Sequence, residues 1–327
     1  MKRSRISAGP SRRHARGVTL VELMVGLLLG LMVTGAAIAM FVSNRMTYQA
    51  TETLGRVQEN ARIAFELMAR DLREAAGNPC VNNLPLVNVL NSPGSNWFTD
   101  INGWNTALLG AEGDFPAAGA QPANRVAGTD AVQIMSAADK VFTVSAHDIT
   151  SHTFTLNANH GFSSGDLILV CNARQASIFQ SSAASGNTIR HVSGGTAPGN
   201  CTGELGLPQN CTAGTPFAYA APNTVLARLH ATRWYVGTNG RGGSSLYQSR
   251  LQGGAVVNEE IAENVLGLQM TYLQAGQNSY LPASGITDWG RVLSARIHLQ
   301  MQGVEQVGGS PVVRDMIYIA ALRNRNT

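Results

Sequence analysis

The stretch that decides the fold reads Gly17-Val18-Thr19-Leu20-Val21-Glu22, followed by LMVGLLLGLMVTGAAIAMFV over residues 23–42. From Leu23 to Val42 no side chain carries a charge. A helix of that length rises roughly 30 Å, the thickness of a bilayer's hydrocarbon core. A single carboxylate, Glu22, stands at its head, and before it lie Lys2, Arg3, Arg5, Arg12, Arg13 and Arg16 with no acid among them. By the positive-inside rule such a leader keeps the N-terminus cytoplasmic and puts everything after Val42 on the far side of the inner membrane. A secretory signal peptide predicts a shorter apolar core ending in a small-x-small cleavage site. Ala37–Ile38–Ala39 fits that pattern only weakly, and the apolar run continues past it to Val42. A plain signal anchor explains the length but not Glu22.

The order of basic leader, glycine, Thr-Leu-x-Glu and about 20 apolar residues resembles the prepilin motif of type IV pilins and type II secretion pseudopilins. The family usually has Phe where this chain has Val18, and its major members commonly carry a proline within the apolar segment. Here no proline occurs from Val18 to Gly77, so a less kinked helix is predicted. The resemblance implies that a membrane aspartyl protease, the prepilin peptidase, cuts after Gly17 and methylates the new amine of Val18. Glycine leaves the scissile backbone unobstructed. Glu22 then becomes the fifth residue of the mature chain. A carboxylate at the edge of hydrocarbon is costly unless neutralised or paired, and the free amine of a neighbouring subunit is a ready partner. Glu22 therefore reads as a register device for assembly, not as a catalytic acid.

The net charge of +4 divides unevenly. Six of the 24 basic side chains lie in the first 17 residues, leaving 18 against 20 acids in the rest. The basicity is a terminal tag, which removes the main sequence argument for nucleic-acid binding. Charged residues make up 13% of the chain, about half the usual share, and 35 glycines with many small polar residues fill the gap. This suits a β-rich, loop-rich protein outside the cytoplasm, long enough for a substantial core.

The helical pattern continues beyond the apolar run. Met46, Ala50, Leu54, Val57, Ala61, Phe65, Met68, Leu72 and Ala75 recur at spacings of three or four, an amphipathic stripe. Glu52/Arg56 and Glu66/Arg70 are spaced for i,i+4 pairs. Gly77–Asn78–Pro79 is a stop, with glycine as the C-cap. Gly26 and Gly30 form a small-xxx-small pattern suited to close helix contact. The boundaries are a cleaved basic leader over 1–17, a long helix over 18–77 with its transmembrane segment at about 23–42, and a β-rich head over 78–327.

After Pro79 the period changes to two. Short strands are predicted at Asp130–Met135, Phe142–Val144, Thr153–Leu156 and Asp166–Val170, with a longer one at Val225–Val236. Ser245–Leu251 follows the turn-rich Gly237–Ser244 as a hairpin. Arg291–Met301 alternates, with Leu293, Ala295, Ile297, Leu299 and Met301 on one face, and Asp315–Leu322 closes the sheet. Asn258–Val265 reads as one or two helical turns. Ser92–Asn124, with Trp97, Phe98, Trp104 and Phe115, and the Gly/Ser/Thr-rich Ser181–Pro216 read as long loops. The fold class is α+β: a long N-terminal α-helix, transmembrane then amphipathic, packed on a mostly antiparallel β-sheet head of type IV pilin-like kind.

Gly128–Thr129–Asp130–Ala131–Val132, Cys171–Asn172–Ala173 running into Ile178–Phe179–Gln180, Asn264–Val265 with Leu268–Gln269 and Tyr272, Trp289, Val292, and Leu322–Arg323–Asn324 are similar in pattern to the PilW family of minor pilins. That resemblance implies a low-abundance subunit that helps initiate and cap a type IV pilus, serving twitching motility and adhesion. Its partners would be other minor pilins, the major pilin, a pilus tip adhesin, the prepilin peptidase and the inner-membrane assembly platform. It would sit in the inner membrane before assembly and at the cell surface afterwards. A minor pseudopilin of type II secretion is the alternative, and a membrane-anchored binding protein or enzyme is a third, which needs neither Gly17 nor Glu22.

Cys80, Cys171, Cys201 and Cys211 are an even set on the oxidising side of the membrane, without the C-x-x-C clustering of zinc sites. Two disulfides allow three connectivities. Cys80–Cys171, clamping the helix end to a core strand, and Cys201–Cys211, closing a short loop, are the preferred pair. No catalytic motif appears. H-E-x-x-H and G-x-S-x-G are absent, and Gly237–Ser245 lacks the G-K-[ST] ending of a phosphate loop. Only Lys2 and Lys140 are lysines, which weakens any amine-nucleophile reading. His147, His152 and His160 cluster in sequence and read as strand-surface side chains, with metal binding the lesser alternative. Neither a cofactor nor a metal is expected, and the function is read as structural.

Overall fold

The computed structural model describes residues 17–81, 84–112, 125–137, 140–307 and 310–324. The basic residues of the leader and Phe115 lie outside the described residues. Contacts divide the chain into two compact units, 1–52 and 53–327. One helix, α1 (Leu20–Glu74), runs through both, its 55 residues rising roughly 80 Å. In the first unit its side chains are exposed from Leu20 to Tyr48. Its mean hydropathy there reaches 2.4, and it is the one described helix long and apolar enough to cross a membrane.

In the second unit α1 presents Thr53, Val57, Ala61, Ala64, Met68, Asp71 and Leu72 as a buried line. Ala61 and Ala64 are small enough to bring the helix backbone close to the sheets. Phe65, half-buried, stacks on Tyr318 with ring centroids 4.3 Å apart. Glu66 pairs with Arg62 at 2.9 Å and not with Arg70, which lies 3.7 Å from Asp71. The helix stops one residue earlier than the glycine rule predicts. Ala76, not Gly77, takes the left-handed conformation at φ 59°, because its N–H donates to Met135 O at 2.9 Å and its methyl is buried.

The strands are β1 (Leu86–Asn88), β2 (Leu108–Ala111), β3 (Ala131–Ser136), β4 (Val141–Asp148), β5 (Thr153–Leu156), β6 (Leu167–Cys171), β7 (Ala176–Gln180), β8 (Ala183–Ser185), β9 (Thr188–Arg190), β10 (Val225–Arg228), β11 (His230–Thr238), β12 (Ser244–Gln252), β13 (Ala255–Glu263), β14 (Val265–Gln274), β15 (Val292–Val307) and β16 (Ser310–Ala321). They form three sheets, in the orders β1-β7-β6-β10-β4-β5-β9-β8, β13-β12-β11-β3-β2 and β14-β15-β16. Every pairing is antiparallel except β1 with β7. A long helix with a mostly antiparallel head is an α+β, pilin-like fold.

The main core lies where α1 meets the two smaller sheets. Val57, Ala61, Met68 and Leu72 pack with Ile134, Trp234, Leu246, Met270, Ala295, Ile297 and Leu299. A second cluster joins Ala76 to Ile101, Trp104, Leu169 and Ile178, so two of the loop tryptophans' neighbourhoods are core, not surface. A third fills the outer part of the large sheet with Phe142, Phe154, Phe179, Ile189 and Tyr219.

Val225–Val236 is not one strand. Leu229 donates its N–H to Leu167 O at 2.9 Å, while His230 pairs with Ser136, so the chain passes there from the eight-stranded to the five-stranded sheet. Asn258–Val265 is not helical. It is the end of β13, a bend at Asn264 with φ 57°, and the start of β14. The alternation of Arg291–Met301 breaks at its start, because a bulge pairs Gln274 with Val292 and Leu273 with Ser294. Skipping Leu293 leaves it half-buried and puts Val292 inside. Ser181–Pro216 is also less irregular than its composition suggests, since it holds β8 and β9.

Candidate functional site

The N-terminal motif is shaped by the helix start. Thr19 Oγ1 accepts from the Glu22 N–H at 3.2 Å, and Thr19 O accepts from Leu23 N–H at 3.1 Å. Thr19 is thus the N-cap, and Glu22 stands three residues on, at the position that a capping box fills with Glu or Gln. The carboxylate also lies in the first helical turn, where the helix dipole favours negative charge. Gly17 and Val18 precede the cap in non-helical backbone. Val18 is exposed, and a Cβ added to Gly17 would meet nothing within 4 Å. The same holds at Gly26 and Gly30, whose surroundings are open.

All four cysteines are paired, Cys80 with Cys171 and Cys201 with Cys211. The first bond ties the chain just after α1 to the end of β6. The second closes a loop that is also held by Gln209, whose side chain donates to Asn88 O on β1 and accepts from Asn88 N–H.

Of the three histidines close in sequence, His147 and His152 both pack on His191, and His160 stands apart from them. His160 Nδ1 accepts from Phe162 N–H, and its Nε2 faces Thr188 O at 3.0 Å. His147 instead meets His191, which sequence spacing did not connect to it, with Nε2 atoms 3.1 Å apart. Among the described residues no group of three His, Cys, Asp or Glu side chains is arranged to hold a metal. The glycine-rich 237–245 segment is the β11–β12 hairpin, its turn held by Asn239 Oδ1 accepting from Arg241 and Gly243 N–H.

Sequence reading missed Asp71. Buried at the head end of α1, it accepts from Trp234 Nε1 at 2.9 Å and Gln248 Nε2 at 2.7 Å. Burial pushes its carboxyl up from the usual value of 3.8, against these hydrogen bonds and nearby Arg70. The available signal was an acid in phase with the apolar stripe, beside Met68 and Leu72.

A capped apolar helix thus leads into an antiparallel head, a pilin-like fold. Two family models match the chain. The prokaryotic N-terminal methylation motif matches residues 12–38, spanning Gly17, Val18 and Glu22. Type IV Pilus-assembly protein W matches residues 233–318, from β11 to β16. No curated protein and no solved structure matches. In these two stretches the chain is similar to type IV pilus-related, pilin-like proteins, and its N-terminal helix is long and apolar enough to cross a membrane. The eight-stranded sheet and both disulfides lie outside the stretch matched to protein W.

Proposed function

We propose that this chain is a minor pilin that helps initiate and cap a type IV pilus. The prepilin peptidase removes residues 1–17 and methylates Val18. The apolar part of α1 holds the subunit in the inner membrane, with its N-terminus cytoplasmic, until the assembly platform passes it into the filament. There it stands with other minor pilins, the major pilin and a tip adhesin. Glu22 pairs with the Val18 amine of a neighbour. The carrying observation is that α1 starts at a Thr19 cap two residues after Gly17, inside the stretch matched by the methylation motif, and runs on as exposed apolar helix. A low-dielectric setting strengthens the Glu22–amine attraction, and removing one partner strands the other charge. The role is structural, with no reaction assigned to the head.

The test is a deletion complemented by Glu22→Ala. Surface pili and twitching should fall in the deletion. The Glu22→Ala chain should insert, be cleaved and fold its head, yet fail to restore them. Unchanged pilus number in the deletion would overturn the reading. Loss of exoprotein secretion instead would replace it with the pseudopilin of type II secretion, which the protein W match over 233–318 disfavours.

A further inference from the structure

We propose that His147 and His191 form an acid-released latch that holds the Cys201–Cys211 loop and the chain after it against the eight-stranded sheet. His147 lies on β4, its ring stacked on Phe154 at 4.1 Å. Its Nδ1 accepts the Tyr219 backbone N–H at 3.1 Å, so that nitrogen carries no proton. In a neutral imidazole the proton is then on Nε2, which faces His191 Nε2 at 3.1 Å. His191 is fully buried, and its Nδ1 lies 2.9 Å from Gly203 O, an atom that only accepts. His191 therefore has its proton on Nδ1 and a lone pair on Nε2. The two tautomers are complementary. Tyr219 N–H donates to His147, His147 donates to His191, and His191 donates to Gly203 O. The relay grips the loop near both ends, at Gly203 and at Tyr219.

An added proton has no place in this chain. On His147 it would go to Nδ1 and face the Tyr219 N–H. On His191 it would go to Nε2 and face the His147 N–H. Either event sets two donors head to head. Asp148 favours a charged His147, but less than burial and His152 oppose it. His152, in the turn before β5, bears on both rings and disfavours their protonation, and its own buried Nδ1 has no hydrogen-bond partner among the described residues. Asp148, beside His147 on β4, is exposed and turned to Ser151 and Thr150. The Tyr219 hydroxyl stays neutral, pushed up to about 12 by burial, and bonds Ser177. No carboxylate bonds either ring among the described residues. Burial pushes His147 down to about 4 and His191 to about 3 from 6.5. A histidine held below its unfolded value contributes stability above that value, lost as pH falls toward the folded one. The latch is therefore closed at neutral pH and weakens from 6.5 downward toward 4.

The full-length protein in detergent, labelled with ¹⁵N-histidine, tests this. Imidazole spectra at neutral pH should show one ring as the Nε2–H tautomer and one as Nδ1–H, assigned by His147→Phe and His191→Phe. A glutamate-specific endoprotease reports the loop, since Glu204 lies within it. Normalised to an unstructured glutamyl peptide, cleavage after Glu204 should be about tenfold faster near pH 4 than near pH 7.5. His147→Phe, which keeps the stacking but loses both hydrogen bonds, should be cleaved fast at both values. Identical tautomers on the two rings, a pH-independent cleavage ratio in the natural chain, or Zn²⁺ held by the pair would each overturn the latch. Should His147→Phe fail to fold, the pH dependence of cleavage in the natural chain still decides.

Discussion

Trp234 Nε1 donates to Asp71 Oδ2 at 2.9 Å, so the last turns of α1 are tied to the middle strand of the five-stranded sheet by a polar bond inside an apolar core. Gln248 Nε2 reaches the same oxygen at 2.7 Å. Asp71→Ala leaves both buried donors without an acceptor and should cost about 2–4 kcal/mol in urea unfolding of the purified protein. Asp71→Asn keeps an accepting oxygen and should cost less. Because burial raises the Asp71 pKa, ionised Asp71 penalises the fold. Its contribution is most favourable below 3.8 and is lost as pH rises through the folded value. The stability of the natural chain relative to Asp71→Asn should therefore improve on acidification.

Gly303 on β15 lies against Thr53 of α1, where an added Cβ would overlap Thr53 Cγ2. Gly303→Ala should destabilise the head by about 2 kcal/mol. Combining it with Thr53→Ser, which removes that methyl, should recover part of the loss. A double-mutant cycle measured by thermal unfolding reads this, and simple additivity would contradict it.

The Cys80–Cys171 bond closes a separation of 91 residues and Cys201–Cys211 one of 10. Chain-entropy reasoning gives roughly 4.5 and roughly 3 kcal/mol. Replacing the first pair by serine should lower the unfolding midpoint more than replacing the second. Denaturant titration of the two variants should rank them in that order.

The proposed pairing of Glu22 with a neighbour's amine can be separated from its place in the first turn of α1. A capping box accepts Gln as well as Glu, whereas pairing with an amine needs the charge. Glu22→Gln should therefore keep the helix start, read by amide protection of residues 19–23, yet impair pilus assembly about as much as Glu22→Ala. Full assembly by Glu22→Gln would mean that the carboxylate's part is local.

What could be read from sequence is what repeats or what stands in a fixed motif. The stripe through Val57, Ala61, Met68 and Leu72 gave α1 its buried face. Gly17 and Glu22 identified the N-terminal motif, and the turn-rich 237–244 gave the β11–β12 hairpin. What was hidden depends on single long-range contacts. Nothing local in Val225–Val236 signals that Leu229 will bond Leu167 and change sheets. A bulge at Leu293 breaks the start of an alternation that looks regular in one dimension. Ala76 takes a glycine's conformation because Met135 O waits for its N–H. His191, 44 residues from His147, carries no motif at all.

Topology gives the Cys80–Cys171 bond a mechanical meaning. Force applied along α1 and resisted anywhere beyond Cys171 meets this bond only a few residues after the helix ends. From there it passes through Cys171, the last residue of β6, and on along the chain to β7, which lies between β1 and β6 in the large sheet. Residues 81–170 form the closed loop of that bond and drop out of the load path. Tension on an assembled filament would therefore leave β1 through β5 slack, and pull instead on the strands that follow.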